Sequence, residues 1–215
     1  VLKDCDIPAH VESNTGYFSS YEIQVILSML RILDNPLQDI PMAAVLASPI
    51  VGMDDEELAQ IRSAFKGVSF AQAALSAMAG EDGYEDEKLK AFALVFERLR
   101  GAVADTPIHE LLYMMLDETG FYRYASAMPA GKRRRQNIDM LIEMAAAYEK
   151  TSYKGLFHFV RYIDIQQKYE IDYGEADTVG ENDDVVRIMT IHKSKGLEFP
   201  VVFVSGLGKS ANINN

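Results

Sequence analysis

The chain has no tryptophan, a single cysteine and fewer basic than acidic residues, 21 against 32. Cys5 cannot close an internal disulfide, so the chain fits a reducing cytoplasm. No run of about eighteen apolar residues is present and no signal peptide is visible, so neither a membrane span nor a membrane partner is expected. A formal net charge of −11 excludes a protein that coats DNA with its whole surface, because neutralising phosphates drives such binding. Any nucleic-acid contact must be local. No G-x-x-x-x-G-K-[S/T] phosphate loop occurs. The look-alike Gly206-Leu207-Gly208-Lys209-Ser210 follows an apolar run but lacks the spacing. No carboxylate cluster of a nuclease, internal repeat or low-complexity tract stands out.

What remains is an ordinary globular composition. With 48% apolar residues among 215, the chain can build one sizeable core or two small ones. Residues 7–11 read as a short strand and Asn14-Thr15-Gly16 as a turn. Ser20 is placed to cap a helix whose stripe is Ile23, Ile26, Leu27, Leu30 and Leu33, ended by Asp34-Asn35-Pro36. Beyond Pro41 the periodicity predicts helices near 41–48, 54–65, 69–79, 85–103, 107–118, 121–127, 133–150 and 153–169. A polar, acidic linker over 172–184 leads to two Val/Ile-rich runs, 185–191 and 201–204, which read as buried strands. The expected fold class is mainly α, a helical domain inserted into a partial α/β domain with a few parallel strands.

Between those two runs lies Thr190-Ile191-His192-Lys193-Ser194-Lys195-Gly196-Leu197-Glu198-Phe199. A hydroxyl, an imidazole, ammoniums, a glycine and a carboxylate share one loop, and loops at the carboxyl ends of parallel strands are where open α/β sheets bind ligands. The stretch from Thr190 to Leu207 resembles motif V of superfamily 1 helicases of the UvrD/RecB type, T-x-H-x-x-K-G-L-E-F/W-x-x-V, at every position. Gly16-Tyr17-Phe18, Ala47-Ser48-Pro49-Ile50-Val51-Gly52, Pro129-Ala130-Gly131-Lys132 and Glu149-Lys150-Thr151-Ser152 extend the resemblance over nearly the whole chain, toward the bacterial helicase–nuclease branch.

The resemblance implies specific roles. Thr190 and His192 would meet the backbone of the tracking DNA strand, Gly196 would allow close backbone approach to nucleotide, and Glu198 would accept a hydrogen bond from its ribose. Lys195 would order the loop. Residues 1–41 would begin a RecA-like domain 2A, residues 42–184 would form a 2B-like insertion, and residues 185–215 would return to 2A. The intact relative would use ATP and Mg2+, neither expected to bind tightly to this chain, and would act on single- and double-stranded DNA beside an AddB-like subunit in a bacterial cytoplasm. The arginine motif that follows motif V in the family is not in the sequence. The chain begins at Val1 without methionine, so it reads as a fragment that does not hydrolyse ATP alone.

Lys132-Arg133-Arg134-Arg135 is the densest positive run. One reading is contact with duplex DNA, a task the family gives to 2B. The other is a solvated helix start or pairing with Asp139 and Glu143. Cations at a helix N-terminus oppose the macrodipole unless an anion meets them. Tyr148, Tyr153, Phe157, Phe159 and Tyr162 read as core, and so do Met114-Met115. The acidic stretches 54–57 and 81–87 read as helix starts and solvated faces, with no histidine or matched cluster to make a metal site. Two function classes follow: a piece of an ATP-driven DNA helicase–nuclease subunit, or a non-catalytic module that docks to a partner subunit or regulates it.

Overall fold

Helix α1 (Tyr21–Asp34) is apolar except along one strip, Gln24, Ser28 and Arg31, and four later helices pack against it. Besides the stripe of Ile23, Ile26, Leu27, Leu30 and Leu33, its remaining faces carry Val25, Met29 and Ile32, all buried. A helix with so narrow a polar strip must bury most of its surface inside the fold. The computed structural model describes residues 9–11, 16–151, 154–168, 186–189, 191 and 194–205.

Around α1 follow α2 (Asp39–Ala47), α3 (Asp55–Ala64), α4 (Phe70–Met78), α5 (Glu87–Ala102), α6 (Ile108–Thr119), α7 (Phe121–Ala127), α8 (Gly131–Tyr148) and α9 (Leu156–Lys168). Helices α2, α5, α8 and α9 touch α1, while α6 and α7 back onto α8. The expected helices are thus present, each within a few residues of its predicted span. Several acidic and polar residues are caps. Asp54 and Glu57 form a reciprocal capping box on α3, Ser69 and Gln72 do the same on α4, and Asp86 accepts from Leu89 N at 2.9 Å on α5. Ser20 sits at the N-cap position of α1 but does not cap with its side chain. Its hydroxyl donates back to the Tyr17 carbonyl at 2.6 Å. Helix α6 has no cap from its own first residues. Instead the Glu149 carboxylate, just past α8, accepts from Ile108 N and contacts His109 Nδ1.

The chain divides into two compact units, Ser13–Glu181 and the pair Val1–Glu12 with Asn182–Asn215. The boundaries expected from the sequence fall at 41/42 and 184/185. Helix α1 lies on the helical side because α2, α5, α8 and α9 cover its apolar faces. In the smaller unit β1 (Ala9–Val11) and β2 (Val186–Ile188) pair in parallel, Ala9 opposite Val186 and Val11 opposite Ile188. Parallel neighbours need a long crossover, and here that connection is the entire helical unit.

Among the described residues the strand expected over 185–191 is limited to Val186–Ile188, and the one expected over 201–204 is not formed. Val201, Val202, Phe203 and Val204 are exposed, Phe203 at 92%. An apolar run becomes a strand only when a neighbouring strand takes its hydrogen bonds and a second layer covers its side chains. Among the described residues, 201–204 has neither.

Gly131 marks a close backbone approach at the α7–α8 junction. A Cβ on Gly131 would overlap the Ser126 carbonyl oxygen, and Ala130 just before it adopts a left-handed φ of 59°. Gly131→Ala is therefore expected to lower unfolding free energy by about 1–3 kcal/mol, the range for forced overpacking. Urea denaturation checks this, and a loss below about 0.5 kcal/mol would show that the junction opens freely.

Candidate functional site

The loop after β2 turns sharply at Gly196. Leu197 N donates to Ser194 O at 3.0 Å, closing a four-residue turn, and Gly196 lies at its third position with φ 86°. Lys195, at the second position, is not among the residues with positive φ, so the turn has type II character. Open space surrounds a Cβ built on Gly196; backbone conformation rather than crowding demands glycine. Ser194 Oγ donates to Ile191 O at 2.9 Å and ties the turn to the segment that follows β2. Glu198 follows the turn with its carboxylate exposed, as does Lys195. Thr190 and His192, together with Lys193 and the residues 206–210, lie outside the described residues. Among the described residues no group of three His, Cys, Asp or Glu side chains comes together to hold a metal ion.

The basic run starts α8 two residues earlier than the sequence pattern suggests, so all four cations lie in its first turn and a half. Successive residues on a helix diverge by about 100°. Four adjacent cations therefore cannot form one patch. Arg134 points inward and pairs with Glu22, whose side chain is 2% exposed. Its Nε also donates to Pro129 O at 3.0 Å. The other Glu22 oxygen accepts from Asn137 Nδ2 at 2.7 Å; Asn137 is fully buried, and its carbonyl accepts from Tyr17 Oη at 3.0 Å. The acid that meets Arg134 is Glu22, 112 positions away in sequence. Asp139 accepts from Tyr122 Oη at 3.0 Å, and burial with this bond pushes the Tyr122 hydroxyl pKa upward. Lys132, Arg133 and Arg135 are exposed. Of these, Lys132 and Arg135 are three residues apart and share a face.

The expected aromatic core divides. Phe159 is fully buried, with Tyr148 and Tyr162 packed on it at ring separations of 5.4 and 6.3 Å. Phe157 is 52% exposed. Residues two apart on a helix face nearly opposite directions, so Phe157 and Phe159 cannot both be core. Tyr153 lies outside the described residues.

Residues 1–211 match the UvrD-like helicase C-terminal domain. The chain belongs to that family. It is 46% identical over 212 residues to the AddA subunit of the ATP-dependent helicase/nuclease of Anoxybacillus flavithermus, covering 98% of this chain and 18% of that protein. It is 46% identical over 215 residues to the protein of the same name from Bacillus cytotoxicus, covering 98% of this chain and 17% of the relative. The match to the Bacillus velezensis protein is 43% over 214 residues, 99% and 17% of the two chains. The chain thus resembles AddA over its whole extent and spans less than a fifth of the length of these relatives. No described helix is long and apolar enough to cross a membrane.

A buried charge that loses its partner costs about 3–5 kcal/mol, whereas exposed charges contribute little. Arg134→Ala is therefore expected to cost at least about 3 kcal/mol in chemical denaturation. Lys132→Ala with Arg135→Ala is expected to stay within about 0.5 kcal/mol of the parent. Equal losses for the two variants would contradict the division of the run.

Proposed function

We propose that this chain serves in an ATP-dependent DNA helicase–nuclease subunit of AddA type, acting in double-strand-break repair and recombination beside an AddB-like subunit. The reading is supported by family membership and by one observation above others: the Gly196 turn presents Glu198, exposed, in the loop that follows a parallel strand. A carboxylate in that position is suited to accept a hydrogen bond from a nucleotide ribose, and the positive φ at Gly196 leaves the backbone open to close approach. ATP with Mg2+ would supply the phosphoryl-transfer chemistry. The sequence offers the ribose acceptor but no phosphate loop, so the groups that hold β- and γ-phosphates and Mg2+ belong to other parts of such a subunit.

Thr190 and His192 precede the turn by a few residues in the same loop. In this proposal their neutral hydroxyl and imidazole bind the backbone of the tracking strand. Neutral donors release a phosphate as readily as they hold it, which suits a motor that steps. The smaller compact unit corresponds to domain 2A and the helical unit to the inserted 2B. Duplex contact by α8 then falls to its exposed cations, Lys132, Arg133 and Arg135, while Arg134 serves the fold.

Two outcomes test this. In a full-length subunit that carries this segment, Glu198→Gln keeps the shape and removes the charge, and nucleotide affinity is expected to fall by about 1–3 kcal/mol. His192→Ala is expected instead to depress DNA-stimulated ATPase more than nucleotide affinity. Titration with a fluorescent ATP analogue and with single-stranded DNA separates them. If both changes weaken nucleotide alike and leave DNA affinity untouched, the assignment of roles is wrong. The 215-residue chain alone is expected to show no DNA-stimulated ATP hydrolysis; turnover that survives repurification would contradict the proposal.

A further inference from the structure

The outward side of α9 combines features that the helicase reading leaves unused. Phe157, half-exposed, carries the Arg161 guanidinium over its ring, Cζ lying 5.9 Å from the centroid. The His158 imidazole meets the same ring edge-on at 5.3 Å. Lys154 and Lys168, at the two ends of the helix, are exposed as well. Among the described residues the one acid on this side is Asp164, ion-paired with Arg31 of α1 at 2.8 Å, and Arg31 also donates to Gln167 Oε1 at 3.2 Å. With Asp164 neutralised from below, the face is a positive stripe around an exposed ring, on a chain whose formal charge is −11.

We propose that this face of α9 binds single-stranded DNA, with Phe157 stacking on an unpaired base and Arg161, flanked by Lys154 and Lys168, tracking the adjacent phosphates. Charge complementarity selects a polyanion, and the ring selects among polyanions. A base accepts an aromatic side chain on its face only when it has left the duplex stack, and such stacking tolerates any base. Arginine both stacks on the ring and forks to a phosphate, so one residue can couple the two contacts. An acidic peptide would satisfy the cations but leave Phe157 without a role. A duplex would satisfy the phosphate contacts but offer no open base. The proposal rests on membership of a DNA-helicase family and is independent of the roles given to Glu198, Thr190, His192 and the start of α8.

The test is fluorescence anisotropy on the 215-residue chain at low salt, with a labelled oligothymidylate of about twelve nucleotides, a hairpin duplex of equal charge and a polyglutamate peptide. The expected order places the single strand clearly tightest. Phe157→Ala is expected to weaken single-strand binding by roughly tenfold, with Phe157→Tyr restoring it, because stacking needs a ring. Arg161→Gln is expected to weaken binding and to reduce the slope of log affinity against log salt by roughly 0.7, the loss of one single-strand phosphate contact. Thermal midpoints should be unchanged for the Phe157 variants, since that ring lies outside the core. Absence of single-strand binding by the parent chain, equal binding of duplex or polyglutamate, or indifference to Phe157→Ala would each overturn the proposal. Failure here would not touch the loop reading, which is measured by nucleotide affinity in the full-length subunit.

Discussion

A carboxylate sealed inside a helical core fixes how the helical unit is assembled. Glu22 stands in the first turn of α1, the most buried helix of the unit, and at 2% exposure it has no water to hydrate its charge. Leaving a carboxylate there unpaired would cost several kcal/mol. Arg134 and Asn137, one turn apart on α8, supply the charge and a hydrogen bond, and Tyr17 fastens the backbone of the same turn. The start of α8 is thereby set against the start of α1. Gly131 allows α7 to press onto the same helix start, so α7, α8 and α1 meet with little freedom. The pair also removes the penalty of cations at a helix N-terminus, because a guanidinium in the first turn of α8 meets an anion.

That constraint divides labour within a run of identical-looking residues. Lys132, Arg133, Arg134 and Arg135 form one cluster in sequence, but the helix spreads them around its axis. One is consumed by the fold and the others face solvent. A similar division occurs on α9, where Phe159 fills the core and Phe157 leaves it. On α8 the residues that face solvent include cations, and on α9 they include cations and an aromatic ring, in an otherwise acidic protein. The smaller unit contributes differently, through a glycine turn that holds one carboxylate out beyond a parallel strand.

Much of this was legible in the sequence, and the reasons are physical. Apolar periodicity and caps such as Asp54–Glu57 are local signals, so the helices emerge close to their expected spans. The motif around Gly196 and Glu198 stood out through its resemblance to motif V and through the polar side chains gathered between two apolar runs. Non-local facts were not. Nothing near Arg134 in sequence points to Glu22, and a first-turn glutamate ordinarily reads as a solvated helix-start charge. The exposure of 201–204 was equally hidden, since a Val/Phe run signals a strand only where partners exist to pair with it. The division of the compact units follows the same pattern. The stripe on α1 was visible, whereas the burial of its remaining faces depends on α2, α5, α8 and α9 together.

The helical unit depends on the Glu22–Arg134 contact, and a double-mutant cycle measures that dependence directly. Glu22→Gln, Arg134→Met and the double variant would be compared with the parent by urea denaturation. Strong non-additivity is expected, with the double variant more stable than the sum of single losses by at least about 2 kcal/mol, because neither change then strands a buried charge. Losses that add to within about 0.5 kcal/mol would show that the two groups do not depend on each other, and that the start of α8 is held by packing alone.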